Sequence, residues 1–154
     1  MTNGNTVCLE FHSTYEMLDF VQVASDHLGR LAGLDEEALH WVGVAVRESV
    51  INAIKHGNGG DEHKHVHVEF TPIDVGRPSG IVIRVRDEGP GFDPETISDP
   101  LAPENLLKAS GRGIFLIRSF MDEMVLQRAP QGGMEVVMVK RVASPEFGLQ
   151  NATE

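Results

Sequence analysis

Three groups of residues have the types and the spacing to do chemistry. The first lies in RESVINAIKHGN, residues 47–58, where Glu48, Asn52 and His56 recur every four positions. On a helix that spacing sets all three near one face. Val46, Val50, Ala53 and Ile54 supply the buried side. Asn is disfavoured inside a helix, so Asn52 needs a reason. Its amide oxygen can coordinate Mg²⁺, a hard cation that takes its other ligands from water and phosphates. A carboxylate one turn earlier, Glu48, can accept a proton from a hydroxyl or water near that metal. The same pair is also compatible with an ordinary solvated helix face.

The second group is VRDEGPGF, residues 85–92, where a strand-like run ends on Asp87 and breaks at Gly89 and Gly91. A carboxylate at a strand end can accept a hydrogen bond from an exocyclic amine such as that of adenine. Glycines without a Cβ let a ring approach the backbone. A plain Asp/Gly turn has the same composition. The third group is Ser110-Gly111-Arg112-Gly113-Ile114, at the start of a predicted helix. Free N–H groups and the positive end of a helix dipole suit a phosphate, although short glycine loops before helices are common.

The elements that must position these groups can be read from periodicity. Residues 6–12 alternate as a strand. A capping box at Ser13 to Glu16 opens a first helix with Met17, Leu18, Val21, Ala24, Leu28 and Leu31 at helical spacing, and Gly33 ends it. Asp35-Glu36-Glu37 places acids at the start of a second helix. Its stripe is Leu39, Val42, Val46, Val50 and Ala53, and it is expected to run to about Lys55 and stop at the glycines of His56 to Gly60. Strands follow at His65 to Asp74 and Gly80 to Asp87. Residues 92–110 read as a loop or lid, since long connections in compact domains are usually functional or mobile. A third helix spans Ile114 to about Met121, and two strands follow at Glu123–Arg128 and Met134–Arg141. The order predicts an α+β fold, a two-layer α/β sandwich with helices on one face of a mixed, mostly antiparallel sheet. One domain over 1–142 is expected, with 143–154 as a flexible C-terminal tail.

Composition fits this reading. The chain has 154 residues, 41% hydrophobic and 23% charged, as expected of a globular domain. Acids outnumber Lys and Arg by 23 to 13, a net charge of −10, which argues against direct nucleic-acid binding. Cys8 is the single cysteine, so no intramolecular disulfide can form. The N-terminal residues lack a signal-peptide pattern, and no apolar run approaches the ~20 residues of a membrane helix. A cytoplasmic location with no membrane association is expected.

The three segments ESVINAIKHGN, DEGPGF and GRGIFLI resemble, in order and spacing, the N, G1 and G2 boxes of the GHKL (histidine kinase-like, Bergerat fold) ATPase superfamily. More narrowly they resemble its anti-sigma factor serine/threonine-protein kinases. The short chain, the His56-Gly57-Asn58 ending of the first box and FMDEM after the third point to that branch, and the likeness spans about residues 7 to 141. The resemblance implies ATP and Mg²⁺ as cofactors. It implies Glu48 as the general base acting on a serine or threonine hydroxyl, and Asn52 as the Mg²⁺ ligand. Asp87 would be the adenine acceptor, with Gly89 and Gly91 shaping its pocket and Gly111, Arg112 and Gly113 at the phosphates. It implies a STAS-domain anti-anti-sigma factor as substrate, a sigma factor as sequestered partner, and a possible homodimer. Gly133-Met134-Glu135 stands where the family often has Thr, which bears on a water-mediated adenine contact.

Two further readings stay open on the sequence. One is a nucleotide-binding partner switch that works by sequestration without phosphotransfer. The other is a kinase of this branch in a signalling module with no sigma factor. Other features have plainer readings. His63, His65 and His67, with Glu69, read as a polar solvent-facing strand rather than a Zn²⁺ or Cu²⁺ site. Trp41 and Met121, Met124, Met134 and Met138 read as core, and Cys8 as a small buried hydrophobe.

Overall fold

A computed structural model describes residues 5–74, 76–91 and 117–143. Five strands form one sheet: β1 (Val7–His12), β2 (His65–Pro72), β3 (Gly80–Arg86), β4 (Glu123–Arg128) and β5 (Met134–Arg141). Their order is β1-β2-β3-β5-β4. All four pairings are antiparallel, which makes the expected mostly antiparallel sheet wholly so among the described residues. Two helices, α1 (Leu18–Leu31) and α2 (Glu36–Asn52), pack on one face.

Alternation decides which face is which. Val66, Val68 and Phe70 of β2 and Ile81, Ile83 and Val85 of β3 are buried toward the helices. The intervening His65, His67, Glu69, Arg84 and Arg86 are only partly buried and line the other face. The α2 stripe is buried as predicted, from Leu39 through Val42, Val46 and Val50 to Ala53. Asp35 caps that helix by accepting the Ala38 N–H at 2.8 Å. Met121 and Met138 lie in the core, Met124 packs against it, and Met134 is buried at the start of β5. The helical residues 117–120 are held at their end by Phe120, whose ring stacks on Trp41 at 3.9 Å.

Several expectations are corrected. Ser13 does not cap α1: a short 3-10 turn, Tyr15–Met17, precedes the helix, with no side-chain cap from Thr14. Ser13 Oγ instead donates to the Lys64 carbonyl at 2.7 Å and accepts from Asn58 Nδ2 at 2.7 Å. A long-range partnership therefore displaces the local one. Leu31 is exposed, because Ser25, Gly29 and Ala32 complete the buried side of α1. Cys8 is also exposed, since it falls on the outward phase of β1. The predicted lid over 92–110, the start of the third helix and the tail beyond Ala143 lie outside the described residues. No helix of the described residues is long and apolar enough to cross a membrane.

Candidate nucleotide site

The α-helical hydrogen bonding of α2 ends at Asn52, and a π-helical turn, Ala53–Gly57, follows. Its wider ring is closed by the Asn58 N–H donating to the Ala53 carbonyl at 2.8 Å. Such turns are rare and frequent at functional sites. Ala53 and Ile54 stay buried while His56 is exposed. His56 follows Asn52 across a π-helical turn, so the regular α-helical row of Glu48 and Asn52 ends at Asn52. The sequence gives no hint of this change, since AIKHG reads as helix followed by a glycine stop.

The turn sets Gly57 against Asp87. Asp87 lies one residue beyond β3 and is only 5% exposed. A Cβ on Gly57 would stand 2.0 Å from Asp87 Oδ2, and one on Gly89 would stand 1.9 Å from the Gly57 carbonyl oxygen. A Cβ on Gly133 would meet the Asp87 carbonyl oxygen at 2.2 Å. Three glycines from three parts of the chain thus form a collar around one carboxyl group. Neither Gly57 nor Gly89 has a positive φ, so close approach, not turn geometry, requires glycine there. Gly91 differs: its φ of 70° favours glycine in its own right.

The two oxygens of Asp87 have different work. Oδ1 accepts the Gly89 N–H at 2.9 Å and the Met134 N–H at 3.1 Å. Among the described residues Oδ2 accepts no hydrogen bond, although it faces the collar. An anionic acceptor left open inside the collar is what an exocyclic amine needs. The Asp87 N–H donates in turn to the Met134 carbonyl at 3.0 Å. Met134 in place of the family's Thr therefore leaves the main-chain support of Asp87 intact.

Asn58 ties the collar to the rest of the sheet. Its Oδ1 accepts the Glu88 N–H at 2.7 Å, and its Nδ2 donates to Ser13 Oγ at 2.7 Å and to the His65 carbonyl at 3.0 Å. One buried side chain thus joins the end of β1, the start of β2 and the residue after Asp87. Sequence reasoning passed over Gly57, Asn58 and Gly133, whose roles come from contacts distant in the chain. Asn58→Ala is expected to cost at least about 1–3 kcal/mol by stranding these partners, a Tm fall of roughly 2–12 °C in thermal denaturation.

Glu48 and Asn52 are half-buried on α2, on the approach to Gly57. Among the described residues neither side chain takes part in a hydrogen bond or ion pair. One carboxylate and one amide oxygen are left available for a hard cation and a proton. Gly111, Arg112 and Gly113 lie outside the described residues.

A family model for the histidine kinase-like ATPase domain matches residues 13–140. The chain belongs to that family. The likeness to individual relatives extends over nearly the whole chain. Serine-protein kinase RsbW of Listeria monocytogenes is 26% identical over 147 residues, 92% of this chain and 90% of the relative. The anti-sigma F factor of Oceanobacillus iheyensis is 32% identical over 143 residues, covering 90% of this chain and 94% of its own length. That of Clostridium novyi is 31% identical over 147 residues, with 94% and 99% covered. The resemblance read from the three segments is thereby borne out at the level of the family, as is the α+β fold.

Proposed function

We propose that this chain is an ATP-dependent serine/threonine protein kinase and anti-sigma factor. It phosphorylates a STAS-domain anti-anti-sigma factor and sequesters a sigma factor, so that its partner changes with phosphorylation. The observation that carries the nucleotide part of this reading is the Asp87 carboxyl group. One oxygen is fixed by two main-chain N–H groups, and the other is open inside a collar of glycines. That arrangement suits the amino group of adenine. The relatives named as a serine-protein kinase and as anti-sigma factors support the choice of phosphoacceptor and partner.

The residues fit Mg²⁺ and ATP by the chemistry of their donors. The Asn52 amide oxygen would hold Mg²⁺ as a hard ligand, and the ion would supply neutralisation of phosphate charge. Glu48, one helical turn before it, takes the proton from the serine or threonine hydroxyl. Gly89 and Gly91 shape the adenine end, and Gly111, Arg112 and Gly113 meet the phosphates. The test is phosphate transfer from radiolabelled Mg²⁺-ATP to a cognate STAS-domain protein, with phosphoamino-acid analysis. Labelled serine or threonine in the STAS protein is expected. An unlabelled STAS protein, with nucleotide binding intact, would leave sequestration alone as the function.

A further inference from the structure

The face of the sheet turned away from the helices carries a cluster that the nucleotide site does not use. Glu10 on β1 and His67 on β2 are direct partners in register. Glu88, two residues past β3, completes a group in which one ligand atom from each of Glu10, His67 and Glu88 lies within 4.8 Å of the others. His67 stands between the two acids, with Nε2 2.9 Å from Glu88 Oε2 and Nδ1 3.9 Å from Glu10 Oε2. His65 Nδ1 lies 3.4 Å from Glu10 Oε1 and 3.7 Å from Glu88 Oε1. His12 packs on His65, with ring centroids 4.5 Å apart, but its Nδ1 is bonded to the Glu62 carbonyl.

We propose that Glu10, His67 and Glu88, with His65 beside them, form a binding site for a divalent transition metal of the Zn²⁺ type. Zn²⁺ takes nitrogen and oxygen ligands at about 2.0–2.2 Å in a tetrahedron, which sets ligand atoms about 3.3–3.6 Å apart. With one ligand atom taken from each residue the three lie within 4.8 Å of one another, close enough for side-chain rotation to draw them in to that range. Imidazole ligands select Zn²⁺ over Mg²⁺ and Ca²⁺, so this site and the Asn52 site take different ions.

Glu88 is held in place before any ion arrives. Glu88 Oε1 accepts the His65 main-chain N–H at 2.7 Å, an outer hydrogen bond of the kind that orients metal ligands. That bond first, and the one from His67 next, hold the Glu88 carboxyl below its ordinary value. Arg86 is the register partner of His67 on β3, yet among the described residues it forms no ion pair with either acid. His63, which the sequence groups with His65 and His67, precedes β2 and is exposed. It is an internal control.

The experiment is calorimetric titration of the full chain with Zn²⁺, without nucleotide or Mg²⁺. Co²⁺ replaces Zn²⁺ in a parallel titration to give visible absorption. One equivalent is expected to bind, at least tenfold more weakly in His67→Ala and in Glu10→Gln and unchanged in His63→Ala. Affinity is expected to rise with pH, because the metal displaces protons from its ligands. Circular dichroism of each variant confirms that the fold is kept. No binding by the wild type would overturn the proposal, as would equal binding by a folded His67→Ala. Either result would leave the cluster as a hydrogen-bonded His/Glu pair on a solvated sheet face.

Discussion

Glu48→Gln is expected to lower phosphate transfer to the proposed STAS-domain substrate by about 10²–10⁴-fold, the usual contribution of a general base. ATP affinity is expected to stay near that of wild type. The substitution keeps the size and the helix propensity of the side chain and removes its capacity to accept a proton as an anion. Glu48 makes no hydrogen bond or ion pair among the described residues, so no structural partner is stranded. Stability is accordingly expected to remain unchanged in thermal denaturation. Parallel single-turnover assays and calorimetry separate the two effects. A fall in ATP affinity as large as the fall in rate would instead place Glu48 in nucleotide binding. An unchanged rate would exclude it as the base.

Gly57→Ala is expected to abolish detectable ATP binding and to lower Tm as well. The added methyl would stand 2.0 Å from Asp87 Oδ2 and 2.3 Å from its Cγ. Relief by moving Asp87 is blocked, because its Oδ1 is held by the Gly89 and Met134 N–H groups. Relief by moving the π-turn is opposed as well, because the Gly57 carbonyl already lies against Gly89. Overpacking of this kind costs about 1–3 kcal/mol, or roughly 2–12 °C in Tm for a chain of this size. Gly59→Ala is a useful contrast: nothing stands within 4 Å of its would-be Cβ, and its φ of 62° is the source of strain there. It is expected to cost stability and spare the nucleotide. ATP binding by a folded Gly57→Ala at wild-type strength would show that the collar does not define the pocket.

Much of the scaffold was legible because each element carries its own period. β4 and β5 fall on the predicted bounds, and the α2 stripe is buried residue for residue. The place of Asp87 at the end of β3 could be read because a strand ending on a carboxylate and then glycines is a local pattern. What the sequence concealed depends on distant contacts. Ser13 looked like a cap because Glu16 follows at the right interval, but Asn58 and Lys64 claim its hydroxyl. Gly57 looked like a helix stop, and its reason is a carboxyl group just past the end of β3. Asn58 supports Glu88 across thirty residues, a pairing that no window along the chain reveals. The Glu10, His67 and Glu88 cluster is of the same kind, since three separate elements supply it.

The most direct test of the nucleotide site is calorimetric titration with Mg²⁺-ATP of wild type and Asp87→Asn. The amide oxygen of Asn can still accept the Gly89 and Met134 N–H groups. Its NH₂ then takes the place of Oδ2 and turns a donor toward the amino group of adenine. Losing a charge-assisted hydrogen bond and opposing two donors is expected to weaken binding by about 100-fold or more. One bound ATP in the wild type, with binding lost in a folded variant, is the predicted result. Equal affinity in the two proteins would contradict the role of Asp87 as the adenine acceptor.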